Sequence, residues 1–296
     1  IYVLVGFFLG IQRTIISSFL IIILSILNIC FSIYFVNILG LNVKGVAFGT
    51  LLSAYITVLS FSIFTYFYII KRFKVIPRFV FKKLLNFKKL FKLFNINFNI
   101  FIRTILLTFS FFWITYLGST LGEEYVAVNS ILLQLIFISS FFLDAYAFST
   151  EGIVGYSIGK KSSKMFINTV KNSLILSFIT GVLISIFFLF FAKEIINLIT
   201  DLEFLIFLTY KYLIWVILIP PLASIAYQLD GIFIGATQTK ELRNAMIVSV
   251  FIYLFLSVFL TKQLHNYGIW FSLLLFMILR ASTLHFYFSK ILNQFR

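Results

Sequence analysis

Charge is scarce in this sequence. Only 11% of the 296 residues are charged, and nine of them are acids, against about 25% charged residues in an ordinary soluble domain. So little polar surface excludes a water-exposed globule, and with it a soluble enzyme or a disordered chain. Cysteine is scarcer still. The single Cys30 excludes an intramolecular disulfide, and its place inside an apolar run makes it a filler facing lipid or core. The two histidines, His265 and His285, have no metal-type partner at suitable spacing, so no metal site is expected. No P-loop, nucleotide fingerprint or nucleophile elbow occurs. That leaves no basis for an enzyme, a bound cofactor or an ATP-driven pump.

What the chain has in abundance is apolar length. It is 61% hydrophobic and 20% aromatic, with 41 Phe. A helix needs about 20 apolar residues to cross a bilayer. Eight such runs lie at 15–37, 45–70, 95–117, 126–148, 169–192, 205–228, 244–261 and 267–289. Residues 1–10 read as the end of a ninth. Barrel strands are about 10 residues long and alternate in polarity; these runs do neither. The expected fold class is an all-α integral membrane protein, a polytopic helical bundle.

The net charge of +15 raises the question of a nucleic-acid partner, and the placement of the cations answers it. Nine cations and no acid lie between Lys71 and Lys92. Alternate connections and the C-terminus add Arg13; Lys160, Lys161, Lys164 and Lys171; Lys240 and Arg243; Lys290 and Arg296. The opposite connections hold only Lys44, Lys193 and Lys262, beside Glu123, Glu124, Glu194, Asp201 and Glu203. This is the positive-inside pattern. It puts loop 71–94 and the C-terminus in the cytoplasm and the chain, multi-pass, in the cell (inner or plasma) membrane. The bilayer is then the partner, and nucleic acid is not. Loop 71–94 contains Pro77 and a rough helical recurrence through Phe81, Leu84, Leu85, Lys88 and Lys89. Two readings stay open for it: an interfacial amphipathic helix and a plain basic linker.

One pattern occurs twice. Gly6-Phe7-Phe8-Leu9-Gly10 and Thr14 match Gly231-Ile232-Phe233-Ile234-Gly235 and Thr239, at an offset of 225. Paired glycines four apart let helices approach closely. The same topology in both places also fits the internal repeats of transporters. If the two halves are equal, three spans and most of a fourth precede Ile1, roughly 135 residues, in a twelve-helix protein of two six-helix lobes. The expected division is 1–70 for the end of helix 4 and helices 5 and 6 of the first lobe, 71–94 for the linker, and 95–296 for the second lobe.

Three motifs then carry a family resemblance. Leu143-Asp144-Ala145-Tyr146-Ala147-Phe148-Ser149-Thr150-Glu151-Gly152-Ile153-Val154-Gly155, with Gly159, resembles the LDGFA-x-AAE-x-x-VG-x-x-x-G signature. That signature belongs to the DinF-type branch of the multidrug and toxic compound extrusion (MATE) transporters. Leu229-Asp230-Gly231 through Thr237 resembles the branch's second-half motif. Asn28, with Gly45-Val46-Ala47-Phe48-Gly49-Thr50, resembles its N…GxAxAT pattern. The likeness covers nearly the whole chain. It departs at Ala145, Ser149, Thr150 and Phe48.

The resemblance implies secondary active antiport by alternating access: H⁺ or Na⁺ enters as small amphipathic or cationic compounds leave, with a monomer expected at full length. In much of the family the coupling acid lies in the first helix, which this sequence does not include, so the chain alone is expected not to transport. A flippase for lipid-linked saccharides and a non-transporting membrane remnant are the alternatives.

Ionisable groups inside the membrane are costly and need a reason. Asp144 and Glu151, seven apart, share a helix face. Asp144 is the expected proton or cation site, with a buried structural pairing as the alternative. Glu151 and Asp230 lie nearer a helix end, where Asp230 is placed to hydrogen-bond a neighbouring helix end. Arg103 is expected to snorkel, or to pair with Asp144 or Glu151. Asn129, Gln134, Tyr146 and Tyr227 are candidates for a polar cavity or for interhelical hydrogen bonds, and Asn28 for the latter. Gly6, Gly10, Gly231, Gly235, Gly155 and Gly159 are the expected packing positions.

Overall fold

The computed structural model describes residues 1–74 and 86–295. Those residues form ten α-helices: α1 Tyr2–Gly10, α2 Thr14–Ile33, α3 Asn42–Phe73, α4 Phe87–Leu121, α5 Glu123–Gly159, α6 Ser163–Ile199, α7 Glu203–Lys211, α8 Leu213–Gly235, α9 Thr239–Leu264 and α10 Asn266–Leu292. Eight helical segments are long and apolar enough to cross a membrane. Helices are forced here because hydrocarbon offers backbone groups no partner, so each segment must satisfy its own.

The helices outrun the expected spans in most places. Apolar runs mark only the lipid-bathed part of a helix, whereas the backbone ladder continues into the polar flanks. So α3 continues to Phe73 and α4 begins at Phe87 rather than near 95, and the two ends of the expected loop 71–94 are helical. The core of that loop, with Pro77 and the proposed interfacial helix, lies outside the described residues. The expected span 205–228 is corrected. A break at Tyr212 separates α7 from α8, and the spanning helix is Leu213–Gly235.

The chain divides into two compact units, Ile1–Phe87 and Lys88–Arg296. In the first, α2 runs into a π-helical turn, Tyr34–Ile38, and doubles back as α3. The Asn28 motif explains the hairpin. Asn28 Nδ2 donates to Thr50 Oγ1 at 3.2 Å, while Gly49 and Gly45 lie so close to Ser32 and Phe35 that no side chain fits at either. Phe8 of α1 is fully buried against the rings of Phe64 and Tyr68.

The second unit contains six spans around a core that includes Leu132, Ile136, Val216, Ile219, Trp270, Leu273 and Met277. Between α4 and α5 the turn is a single residue, Gly122, at φ +136°, a value that suits glycine alone. Trp113 Nε1 donates to Ser257 Oγ (2.9 Å) and Tyr253 Oη to the Ser110 carbonyl (3.3 Å), which pins α4 to α9. Within α8, Pro221 cannot donate to the Ile217 carbonyl four residues back. Ser185 of α6 donates to that carbonyl instead, at 2.6 Å. Large apolar side chains such as Phe141, Phe190, Phe251 and Phe255 remain exposed, as suits a surface bathed in lipid.

Candidate functional site

Helix α8 is the centre of the polar interior, and glycine sets how close it lies to α5. A Cβ at Gly231 would stand 2.5 Å from the Ala147 carbonyl oxygen, and one at Gly235 2.5 Å from that of Glu151. The two helices therefore run parallel and nearly touch, backbone to backbone. A Cβ at Gly155 would meet the Gly235 carbonyl at 3.4 Å. Gly6, Gly10 and Gly159 meet nothing within 4 Å, so among the described residues only the second copy of the repeated motif packs helix on helix.

The close approach brings polar groups together. Gln228, fully buried, donates through Nε2 to the Leu143 carbonyl (3.4 Å), and its Oε1 lies 3.0 Å from Thr150 Oγ1. Two residues further along α8 stands Asp230. One of its oxygens, Oδ2, accepts from Arg103 of α4 and from Arg280 of α10, the latter at 2.5 Å. A carboxylate thus ties three helices in one knot. This corrects the expectation for Arg103. It pairs with Asp230 across 127 positions, and with neither Asp144 nor Glu151. Asp230, likewise, meets two guanidinium groups rather than a helix end. Arg280, the second partner, is only 1% exposed in its side chain. Its guanidinium also stands over the rings of Tyr227 (5.7 Å) and Phe276 (5.6 Å).

Asp144 completes the cluster without joining the knot. It lies in the electrostatic field of Arg103, Asp230 and Arg280. It is half-buried and forms no ion pair among the described residues. Two arginines and two aspartates leave the cluster formally neutral. The other sequence candidates divide. Tyr227, buried, stands beside Arg280. Tyr146 Oη accepts from Thr180 Oγ1 at 3.0 Å and borders a cleft of about 600 Å³ between α5 and α6, lined with Ser149, Asn168, Thr169 and Asn172. Asn129 is elsewhere, buried in a pair of hydrogen bonds to Asn266 and Trp270 of α10, both 2.8 Å. Gln134 is exposed, and Glu151 is half-buried away from the arginines. Arg280 and Gln228 were not singled out as site residues by sequence. An ionisable group deep in an apolar run was the signal available for Arg280.

The MatE family model matches residues 100–261, more than half of the chain and the segment that holds Arg103, Asp144 and Asp230. The chain belongs to the MatE family. Members of that family are transporters, not enzymes. This MatE-family chain is 32% identical over 284 residues to DNA damage-inducible protein F of Escherichia coli (strain K12), covering 95% of the chain and 61% of that protein. It is 25% identical over 280 residues to Protein DETOXIFICATION 43 of Arabidopsis thaliana, covering 94% of the chain and 51% of that protein. The fold is similar to a mutant of the Vibrio cholerae MATE transporter VcmN, with a TM-score of 0.87, 16% identity, and coverage of 99% of this chain and 66% of that one. The chain therefore spans about half to two thirds of the length of these relatives.

Proposed function

We propose that this MatE-family chain is part of a cation-coupled exporter of small amphipathic or cationic compounds, working by alternating access of its two lobes. One observation supports the reading above others. Asp144 is a half-buried carboxylate with no ion pair among the described residues, in the field of two arginines that Asp230 already occupies. A carboxylate in that state is free to take up H⁺ or Na⁺, and then to exchange it for a cationic substrate, since one site cannot favour both at once. Both deep arginines are engaged, which leaves little free positive charge for a pyrophosphate and speaks against a lipid-linked saccharide flippase. The charge alternation supports a cytoplasmic placement for Arg13, for the basic stretch after Lys71 and for the C-terminus in the cell membrane.

The test is export by the full-length transporter carrying Asp144→Asn, measured across external pH with the protein's melting temperature followed in parallel. The expected result is export near background at an unchanged melting temperature. Undiminished export at every pH would remove Asp144 from the mechanism.

A further inference from the structure

The hydrogen bonds around Asp230 are unevenly shared. Its Oδ2 accepts from Nη2 of Arg103 and from Nη2 of Arg280. Three buried atoms of the same side chains have no hydrogen-bond partner among the described residues: Asp230 Oδ1, Arg103 Nε and Arg280 Nε. Nε and Nη2 form one edge of a guanidinium, an edge able to grip both oxygens of a carboxylate in a bidentate pair. Each arginine therefore uses half of that edge. One carboxylate cannot fill two such edges, whereas two carboxylates can.

The second carboxylate is at hand. Arg103 is the foremost of the charges that act on Asp144, ahead of Asp230 and Arg280. These charges come from α4, α8 and α10. Tyr227 of α8 also lies in the field of Asp144, Glu151 lies two turns along the same helix, and no charge from α6 or α9 enters among the described residues. The two arginines differ in how they are held. Arg280 is 1% exposed, stands over the rings of Tyr227 and Phe276, and donates through Nη1 to Met277 Sδ at 3.3 Å. Arg103 is 16% exposed, and Asp230 is its one hydrogen-bond partner among the described residues.

Resting on the reading of Asp144 as the coupling site, we infer that Arg103 is a positioning residue that changes partner. It holds Asp230 while Asp144 is neutralised, and moves to Asp144 when that carboxylate is bare. In the first arrangement, that of the structure, two guanidiniums share one carboxylate. In the second, Asp144 pairs with Arg103, and Asp230 takes Arg280 on both oxygens. Loss of the proton from Asp144 adds one negative charge to the cluster, and Arg103 meets it with neither arginine giving up a proton. A bare carboxylate inside the membrane is costly, and a charge-assisted bidentate pair offsets that cost. A cation arriving at Asp144 sends Arg103 back to Asp230, so Arg103 reports the occupancy of Asp144 to α4.

The experiment is a pair of double-mutant cycles on the full-length transporter, read by reversible denaturation in detergent and sodium-free buffer. Each is run at acid pH, where Asp144 holds its proton, and at alkaline pH, where it does not. One cycle combines Arg103→Gln with Asp144→Asn, the other Arg103→Gln with Asp230→Asn. The coupling of Arg103 to Asp144 is expected to be absent at acid pH and at least about fivefold in the unfolding equilibrium constant at alkaline pH. The coupling to Asp230 should weaken over the same interval. In an Arg103→Lys background, which keeps the charge without the bidentate edge, Asp144→Asn should cost less stability at alkaline pH than in the native background. If Asp230→Asn does not fold, the first cycle decides alone. A coupling to Asp144 that is absent at both pH values, or equal at both, would overturn the inference. Export by the Asp144→Asn transporter is read separately. Export lost while Arg103 stays coupled to Asp230 alone defeats the change of partner and leaves the exporter reading standing. Export undiminished while the coupling moves with pH does the reverse.

Discussion

Arg280 donates to Asp230 Oδ2 at 2.5 Å, and the second oxygen of the same carboxylate, Oδ1, has no hydrogen-bond partner. One oxygen therefore serves two arginines, Arg280 and Arg103, from different helices. Removing one member of such a buried group costs about 3–5 kcal/mol, because its partner is left charged and unpaired. Arg280→Met is expected near that upper range, since the side chain is 1% exposed. Arg103→Met should cost less, its side chain being 16% exposed and in reach of water. The double variant Asp230→Asn/Arg280→Met should lose less than the sum of the two single changes. Denaturation of the purified protein in detergent measures all of these, and simple additivity would show that the pair does not act as a unit.

Two glycines of the second unit should answer differently to a side chain. At Gly231 a Cβ would strike the Ala147 carbonyl, whereas at Gly159 it meets nothing within 4 Å. Forced entry of a side chain into a packed contact costs about 1–3 kcal/mol. Gly231→Leu should lower the melting temperature and the yield of folded protein; Gly159→Leu should change neither. An equal response at both positions would mean that the contact between α8 and α5 is not what holds the second unit.

The sequence was most legible where lipid dictates the answer. Eight apolar runs gave eight spans, because length and hydropathy are local properties that no distant residue overrides. The hairpin tied by Asn28 and Thr50 was also within reach, its residues lying on adjacent helices. The charge cluster was not. Asp144 and Arg103 are both ionisable and both deep, so pairing them was reasonable. The choice of Asp230 instead depends on how α8 lies against α5, α4 and α10, and that is set by contacts between residues far apart in sequence, such as Gly231 with Ala147. The break at Tyr212 was hidden for a related reason: the residues on both sides are apolar, and hydropathy does not report a turn.

Ser185 tests whether a proline in a membrane helix needs an outside donor. Its hydroxyl supplies the Ile217 carbonyl with the bond that Pro221 cannot give. Ser185→Ala should destabilise the protein by about 0.6 kcal/mol, the average for hydrogen bonds between membrane helices. Pro221→Ala, which restores the backbone donor, should make the Ser185→Ala change milder. If Ser185→Ala costs the same in both backgrounds, its hydroxyl has another role.

The orientation read from the charges can be checked with single cysteines. In a Cys30→Ser background the protein would carry either Lys44→Cys or Lys161→Cys, both exposed positions at opposite ends of the spans by the charge alternation. Positive charge is retained on the cytoplasmic side during insertion, so Lys161 should be internal and Lys44 external. A membrane-impermeant maleimide should then label the Lys44→Cys protein in intact cells, and the Lys161→Cys protein only after lysis. The reverse pattern would invert the topology. It would also move the exposed cations Arg13, Lys71 and Arg72 to the outer face.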